Sequence, residues 1–318
     1  MNDGAIELRR FFLDTMSCCC SIHDKIVHLH PIKNILMINV IKRIISGAVY
    51  IALIVGAILL LDNSPVMYLL VFPLLIVLGM GEMVTMAKDD ASQSWLLTIV
   101  DMLGGVGLFV SLYMHYEGSA AQTRAMWLLP IAAYLLVRTI VQLYRPQQNA
   151  VHSFERSFFA LGYVALPMSL LNCIMSITAP RLLLGMFIFI WLYDTGAYCF
   201  GMMLGRHRLF ERISPKKSWE GVIGGVLACV AGAYITHNWF DEFFQVPELT
   251  IWVGLSLIVA VFATFGDLVE SLIKRTVGVK DSGSILPGHG GILDRIDSLL
   301  LVAPAVLIYL LLIVPNIQ

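Results

Sequence analysis

The stretch "LTIWVGLSLIVAVFATFGDLVESLIKR", residues 249–275, runs from Leu249 to Gly266 without a charged side chain and then turns acidic and basic. A helix needs roughly 20 predominantly apolar residues to cross the hydrocarbon core of a bilayer. The apolar part, about 249–271, is long enough, and comparable stretches occur at about 44–62, 65–87, 95–114, 126–144, 155–176, 181–204, 221–236 and 294–315. The 318 residues are 58% hydrophobic and 14% charged, with a mean hydropathy of +0.81, more apolar surface than one water-soluble core buries. These features predict an all-α polytopic integral membrane protein with about nine transmembrane helices. We divide it into an N-terminal extension, residues 1–43, a set of N-terminal helices, 44–180, and a C-terminal region, 181–318, that carries the chemistry.

The net charge of −1 is uninformative, but the placement of Lys and Arg is not. With a cytoplasmic N-terminus, one side receives Arg9, Arg10, Lys25, Lys33, Lys42, Arg43, Lys88, Arg145, Arg156, Arg206, Arg208, Arg212, Lys216, Lys217, Lys274, Arg275, Lys280 and Arg295. The other side keeps only Arg124 and Arg181, and its longest loop, His237 to Leu249, carries Asp241, Glu242 and Glu248. Positive charge stays inside, so the N-terminus and the basic loops are expected in the cytoplasm and the chain in the inner membrane. Cys18, Cys19, Cys20, Cys173, Cys199 and Cys229 fit neither a disulfide framework nor a zinc site and read as free thiols. The first 36 residues lack the pattern of a removable signal peptide, and Met37 offers a second plausible start.

An ionisable group inside a spanning helix costs about 2.5 to 3.5 kcal/mol on insertion scales and is a functional candidate by default. Glu82, Asp101 and Arg138 read first as buried ion-pair partners or interface residues, and Asp194 lies near the middle of the sixth span. Asp267, Asp294 and Asp297 read differently because of their neighbours. Asp267, Glu270, Ser271 and Lys274 are spaced i, i+3, i+4 and i+7, one face of a helix. After them come Arg275 and the loop "TVGVKDSGSILPGHGGI", whose Gly288, Gly290 and Gly291 would let backbone amides approach a phosphate, with His289 among them. Then "LDRIDS" sets Asp294 and Asp297 at i, i+3.

Hard divalent cations take carboxylate oxygens, and Mg²⁺ uses one or two of them with substrate phosphates and water. Asp267 with Asp294 suits that need, with Asp297 and Asp281 as further ligands or orienting groups. Lys280, Arg295 and His289 would neutralise phosphate charge. A second basic loop, "GRHRLFERISPKKSWEGVIGG" from Gly205, sets Ser214, Lys216 and Lys217 before a glycine-rich helix start. It is either a positive-inside anchor or a shaped anion site.

The segment "SLIKRTVGVKDSGSILPGHGGILDRID", Ser271 to Asp297, resembles the signature of phosphatidate cytidylyltransferases, also called CDP-diacylglycerol synthases. "SPKKSWEG" is similar to that family's companion motif, with Ser218 where threonine is expected, and "WLYDTGAYCFG" from Trp191 resembles its aspartate-bearing helix. The likeness is strong over roughly 190–300 and rests before that on helix number. It implies Mg²⁺-dependent transfer of the cytidylyl group of CTP to phosphatidate, with a monovalent cation such as K⁺ sharing the site and a homodimer as the assembly. On that reading Asp267, Asp294, Asp297, Lys280 and Asp281 are the catalytic residues and Asp267, Asp294 and Asp297 the metal ligands. Ser214, Lys216, Lys217, Ser271, Lys274, Arg275, His289, Gly290, Gly291 and Arg295 then bind substrate. No nucleic-acid partner is expected. The alternatives are another CTP-dependent lipid enzyme, such as a polyprenol kinase or a CDP-archaeol-type synthase, and a transporter. The transporter is disfavoured because the acids lie towards one leaflet and no internal repeat is evident.

Overall fold

A computed structural model describes residues 44–61, 63–86, 95–117, 128–145, 149–178, 180–244, 246, 248–283, 285 and 290–313. The N-terminal extension with Cys18 to Cys20 and Met37, as well as Lys88 and His289, lies outside the described residues. The chain divides into two units, residues 1–50 with 287–289, and residues 51–286 with 290–318. Of the first, only residues 44–50 are described, the opening turns of an apolar helix. All that follows concerns the second.

The described residues form helices α1 (Ile44–Leu59), α2 (Val66–Met86), α3 (Trp95–Glu117), α4 (Leu129–Leu143), α5 (Ala150–Ile177), α6 (Pro180–Leu204), α7 (Trp219–Phe244), α8 (Leu249–Thr276) and α9 (Leu293–Ile313). Seven are long and apolar enough to span a membrane, whereas α1 and α4 are apolar but shorter. Large side chains such as Leu136 (65% exposed) and Met203 (80% exposed) point outwards, as lipid-facing surface does, while Phe72, Phe109 and Phe187 are wholly buried. The chain is a multi-pass membrane protein.

Local chemistry explains the departures from ideal helix. In α5 a π turn at Leu161–Ala165 precedes Pro167, whose missing N–H cannot serve a regular ladder. Helix α7 continues past the expected end to Phe244 with a kink at Phe240 (φ −129°, ψ 16°), so Asp241 and Glu242 belong to a helix rather than to a loop. The basic loop after α6 folds into a small antiparallel hairpin of β1 (Arg208–Phe210) and β2 (Ser214–Ser218), in which Arg208 pairs with Ser218 and Phe210 with Ser214.

Two glycine contacts set the C-terminal helices. A Cβ on Gly224 would lie 2.3 Å from Phe200 Cβ, and one on Gly225 2.6 Å from Tyr193 Cδ2, so the small-residue face of α7 packs against α6 of the same protomer. At Gly266 a Cβ would meet Asp297 O at 2.6 Å and Ser298 Cα at 2.8 Å, so α8 and α9 touch there. That contact sets Asp267 beside Asp297.

Asp101 and Arg138 meet the packing expectation. Both are 1% exposed, their ion pair is 3.0 Å long, and Arg138 Nη1 donates to Gln142 Oε1 (2.8 Å) and Nη2 to Ser153 Oγ (2.8 Å). Ser157 Oγ donates to Asp101 Oδ2 at 2.6 Å. The network ties α3, α4 and α5 together, and its charges are buried only because they are paired and hydrogen-bonded.

Candidate active site

Helix α8 has 28 residues and is about 42 Å long at 1.5 Å per residue, so its charged C-terminal turns extend beyond a hydrocarbon core of about 30 Å. The predicted stripe is real: Ser271 Oγ donates to Asp267 Oδ1 (3.2 Å), and the Lys274 ammonium lies between Glu270 Oε2 and Asp294 Oδ1, the latter at 2.7 Å. The other Asp294 oxygen accepts from Gly291 N (2.8 Å) and Ser282 N (3.1 Å), which fastens the glycine loop to the first turn of α9. Gly290 adopts φ +82°, the left-handed region open to glycine, and a Cβ there would lie 2.4 Å from Asp294 Oδ2.

The hairpin brings its lysines to the acids. Lys217 Nζ is 2.6 Å from Asp267 Oδ2. Glu220, in the first turn of α7, accepts from the backbone N–H of Arg206 (3.1 Å) and His207 (3.2 Å) and pairs with His207 Nδ1 (2.6 Å), which holds the start of the hairpin. Ser218 Oγ accepts from Gly221 N at 3.2 Å, a serine N-cap for α7. The hydroxyl this cap needs is present although threonine was expected.

These groups surround a cavity of about 640 Å³ whose lining includes Asp194, Arg208, Lys216, Lys217, Asp267, Asp294 and Asp297. Cations from the hairpin face carboxylates from three helices. Of the other expected residues, Ser271 and Lys274 touch the lining acids, Gly290 and Gly291 shape the loop behind Asp294, and Ser214 opens β2. Lys280, Arg275 and Arg295 are exposed outside this lining, and Asp281 lines a second cavity with Glu82, Arg156 and Ser282. Sequence reasoning had not put Glu270, Asp194 or Arg208 in the site, although Glu270 stood on the α8 stripe.

The acids can hold a metal ion. Carboxylate oxygens of Asp267, Glu270 and Asp297 lie within 4.8 Å of one another, and Glu270 Oε1 has no hydrogen-bond donor although the side chain is 1% exposed. Lys217 and Lys274 already offset Asp267 and Glu270, and the all-oxygen donor set that the three acids offer suits a hard divalent ion. Asp294 lines the same cavity, but its oxygens already accept from Lys274, Ser282 and Gly291. Glu270 therefore stands nearer to the other two acids than the sequence suggested.

Comparison with known proteins shows the family. The description of the cytidylyltransferase family matches residues 41–313. A phosphatidate cytidylyltransferase from Staphylococcus aureus is 36% identical over 220 residues, 68% of this chain and 80% of that protein. One from Staphylococcus haemolyticus is 50% identical over 127 residues, 39% of this chain and 47% of its own length. A third, from Staphylococcus epidermidis, is 45% identical over 133 residues, 41% and 49% of the two chains. With a match that runs from before α1 to the last residue of α9, the chain belongs to the cytidylyltransferase family.

Proposed function

We propose that this protein is a phosphatidate cytidylyltransferase, which transfers the cytidylyl group of CTP to phosphatidate and releases pyrophosphate. The observation that carries the reading is the cavity in which Lys216, Lys217 and Arg208 face Asp267, Asp294 and Asp297 at the ends of membrane-spanning helices. Such a site can meet a water-soluble nucleotide and a lipid headgroup together.

A phosphatidate oxygen attacks the α-phosphorus of CTP, one P–O bond forms, the bond to the β-phosphate breaks, and pyrophosphate carries away the electron pair. The attacking phosphate is already anionic, so no strong base is required. The protein's work is alignment and charge neutralisation. Lys216, Lys217 and Arg208 hold the triphosphate and stabilise the departing pyrophosphate, while Lys280 and Arg295, outside the cavity lining, add positive charge to the same end of the protein. Asp267, Asp297 and Glu270, with Asp294 adjoining, would hold Mg²⁺. When bound, the ion supplies charge neutralisation at the reacting phosphates. The resemblance adds K⁺ as a second cation and a homodimer as the assembly, and both belong to this proposal. Positive-inside placement supports an inner-membrane enzyme with its site towards the cytoplasm.

The test is pyrophosphate release from CTP by protein purified in detergent, with and without phosphatidate, with and without Mg²⁺, beside Asp294→Asn. Release that needs both lipid and metal and disappears in the variant supports the reading. CTP consumption with another lipid acceptor alone would redirect it to a related CTP-dependent enzyme, and a fully active Asp294→Asn would overturn the assignment of the site.

A further inference from the structure

Glu82 lies in α2, far in sequence from the acids and lysines of the candidate site, and is 4% exposed. A lone acid in an apolar helix suggests a buried cation partner, yet its carboxylate reaches over to α9. Oε1 accepts from Ile292 N (2.9 Å), and Oε2 accepts from Leu293 N (2.8 Å) and Ser282 Oγ (3.0 Å). The first N–H groups of a helix have no partner within it and carry the positive end of its dipole. At the entry to α9, Gly291 N goes to Asp294, and the N–H of Ile292, just before the helix, and of Leu293, its first residue, go to Glu82. The loop is built around this approach: a Cβ on Gly291 would lie 2.2 Å from Glu82 Oε2, and one on Gly283 2.5 Å from Oε1.

We infer that Glu82 is a positioning residue, a cap supplied from α2 that fixes the first turn of α9 and thereby the placement of Asp294 and Asp297. The inference rests on the proposed function for what those acids do. It also assigns Gly291 a second reason to be glycine. Its amide hydrogen is committed to Asp294 and its missing side chain makes room for Glu82, so this amide is already spent within the protein.

The experiment uses full-length protein in detergent, with Glu82→Ala, Glu82→Gln and, as a buried carboxylate away from the site, Asp101→Asn. In Glu82→Ala the amides of 291–294 lose protection from hydrogen exchange, by about tenfold or more for each charge-assisted bond removed, while peptides of α3 and α4 are unchanged. Its kcat falls by about 10²-fold with KM for CTP within about twofold, as expected for misplaced acids beside an intact hairpin. Glu82→Gln, which keeps one acceptor, falls between wild type and alanine. Asp101→Asn lowers thermal stability but not the kcat of the folded protein. Retained protection and kcat in Glu82→Ala would overturn the inference, and so would an equal loss of kcat in Asp101→Asn. The exchange measurement needs no substrate, so it judges the cap even if wild-type protein fails to turn over CTP, an outcome that would sink the cytidylyl reading alone.

Discussion

Replacing Lys274 by methionine removes the ammonium shared by Glu270 and Asp294 while keeping a side chain of similar length. The three side chains are 13%, 1% and 12% exposed, so the two carboxylates would be left facing each other with little water between them. Removing one member of a buried ion pair costs about 3–5 kcal/mol. Asp294 keeps its two backbone donors, so we expect the lower end, about 3 kcal/mol. At about 2 °C per kcal/mol for a chain of this size, the thermal midpoint should fall by roughly 6 °C. Adding Glu270→Gln removes the stranded charge, so the double variant should melt above Lys274→Met alone, a non-additivity that directly reports their contact. Activity should fall in the single variant and stay low in the double one, because Asp294 Oδ1 lacks the Lys274 ammonium in both. The assay is thermal unfolding in detergent beside pyrophosphate release. A Lys274→Met protein that melts within about 1 °C of wild type, or a double variant no more stable than the single, would refute the shared-ammonium description.

Divalent cation alone should raise the thermal midpoint of the wild type, since binding at about a hundredfold excess over Kd stabilises by about 2.7 kcal/mol, and the rise should vanish in Asp267→Asn and Asp297→Asn. An unchanged response in those variants would place the metal elsewhere. Lys217→Met should lower kcat/KM for CTP by about 10²-fold, because it takes away both the proposed phosphate contact and the charge beside Asp267. Steady-state kinetics at saturating lipid measures it, and a loss confined to lipid KM would contradict the role. Gly266→Val forces α8 away from α9, because a Cβ at this position would lie 2.6 Å from Asp297 O, and should cost about 1–3 kcal/mol and most activity. A melting curve with the activity assay checks both.

How much of this was legible in the sequence depends on the range of the interaction. The described helices lie where the apolar stretches predict, because burial in lipid is written in each segment's own composition. Ends were less exact: Trp239 to Phe244 continue α7 although Asp241 and Glu242 make that stretch look like a loop. The hairpin was not visible, since strands as short as "RLF" and "SPKKS" carry too little alternation, and it is the pull of Glu220 on Arg206 and His207 that holds its start. Within α8 the stripe was legible because i, i+3, i+4 and i+7 spacing is itself a geometric statement.

Contacts between helices follow a different logic, and Glu82 shows why. Asp101 and Arg138 were readable, together with Glu82, as buried ion-pair partners because each charge is visible as a letter in the chain, and the structure pairs the first two. The partners of Glu82 are the N–H groups of Ile292 and Leu293, more than two hundred positions away, and every residue except proline carries that group. A sequence marks which side chains are charged but cannot mark which backbone amides will be left exposed at a helix start packed against them. The trace it does leave is indirect: glycines at 283 and 291, where any Cβ would strike the carboxylate. Of the two, Gly291 reads in the sequence as part of a phosphate cradle with Gly288 and Gly290. The meaning of Gly291 changes once α2 is in place, because the first claim on the space beside it is made by the protein's own carboxylate, and the proposed function assigns the substrate phosphates to Arg208, Lys216 and Lys217 of the cavity lining.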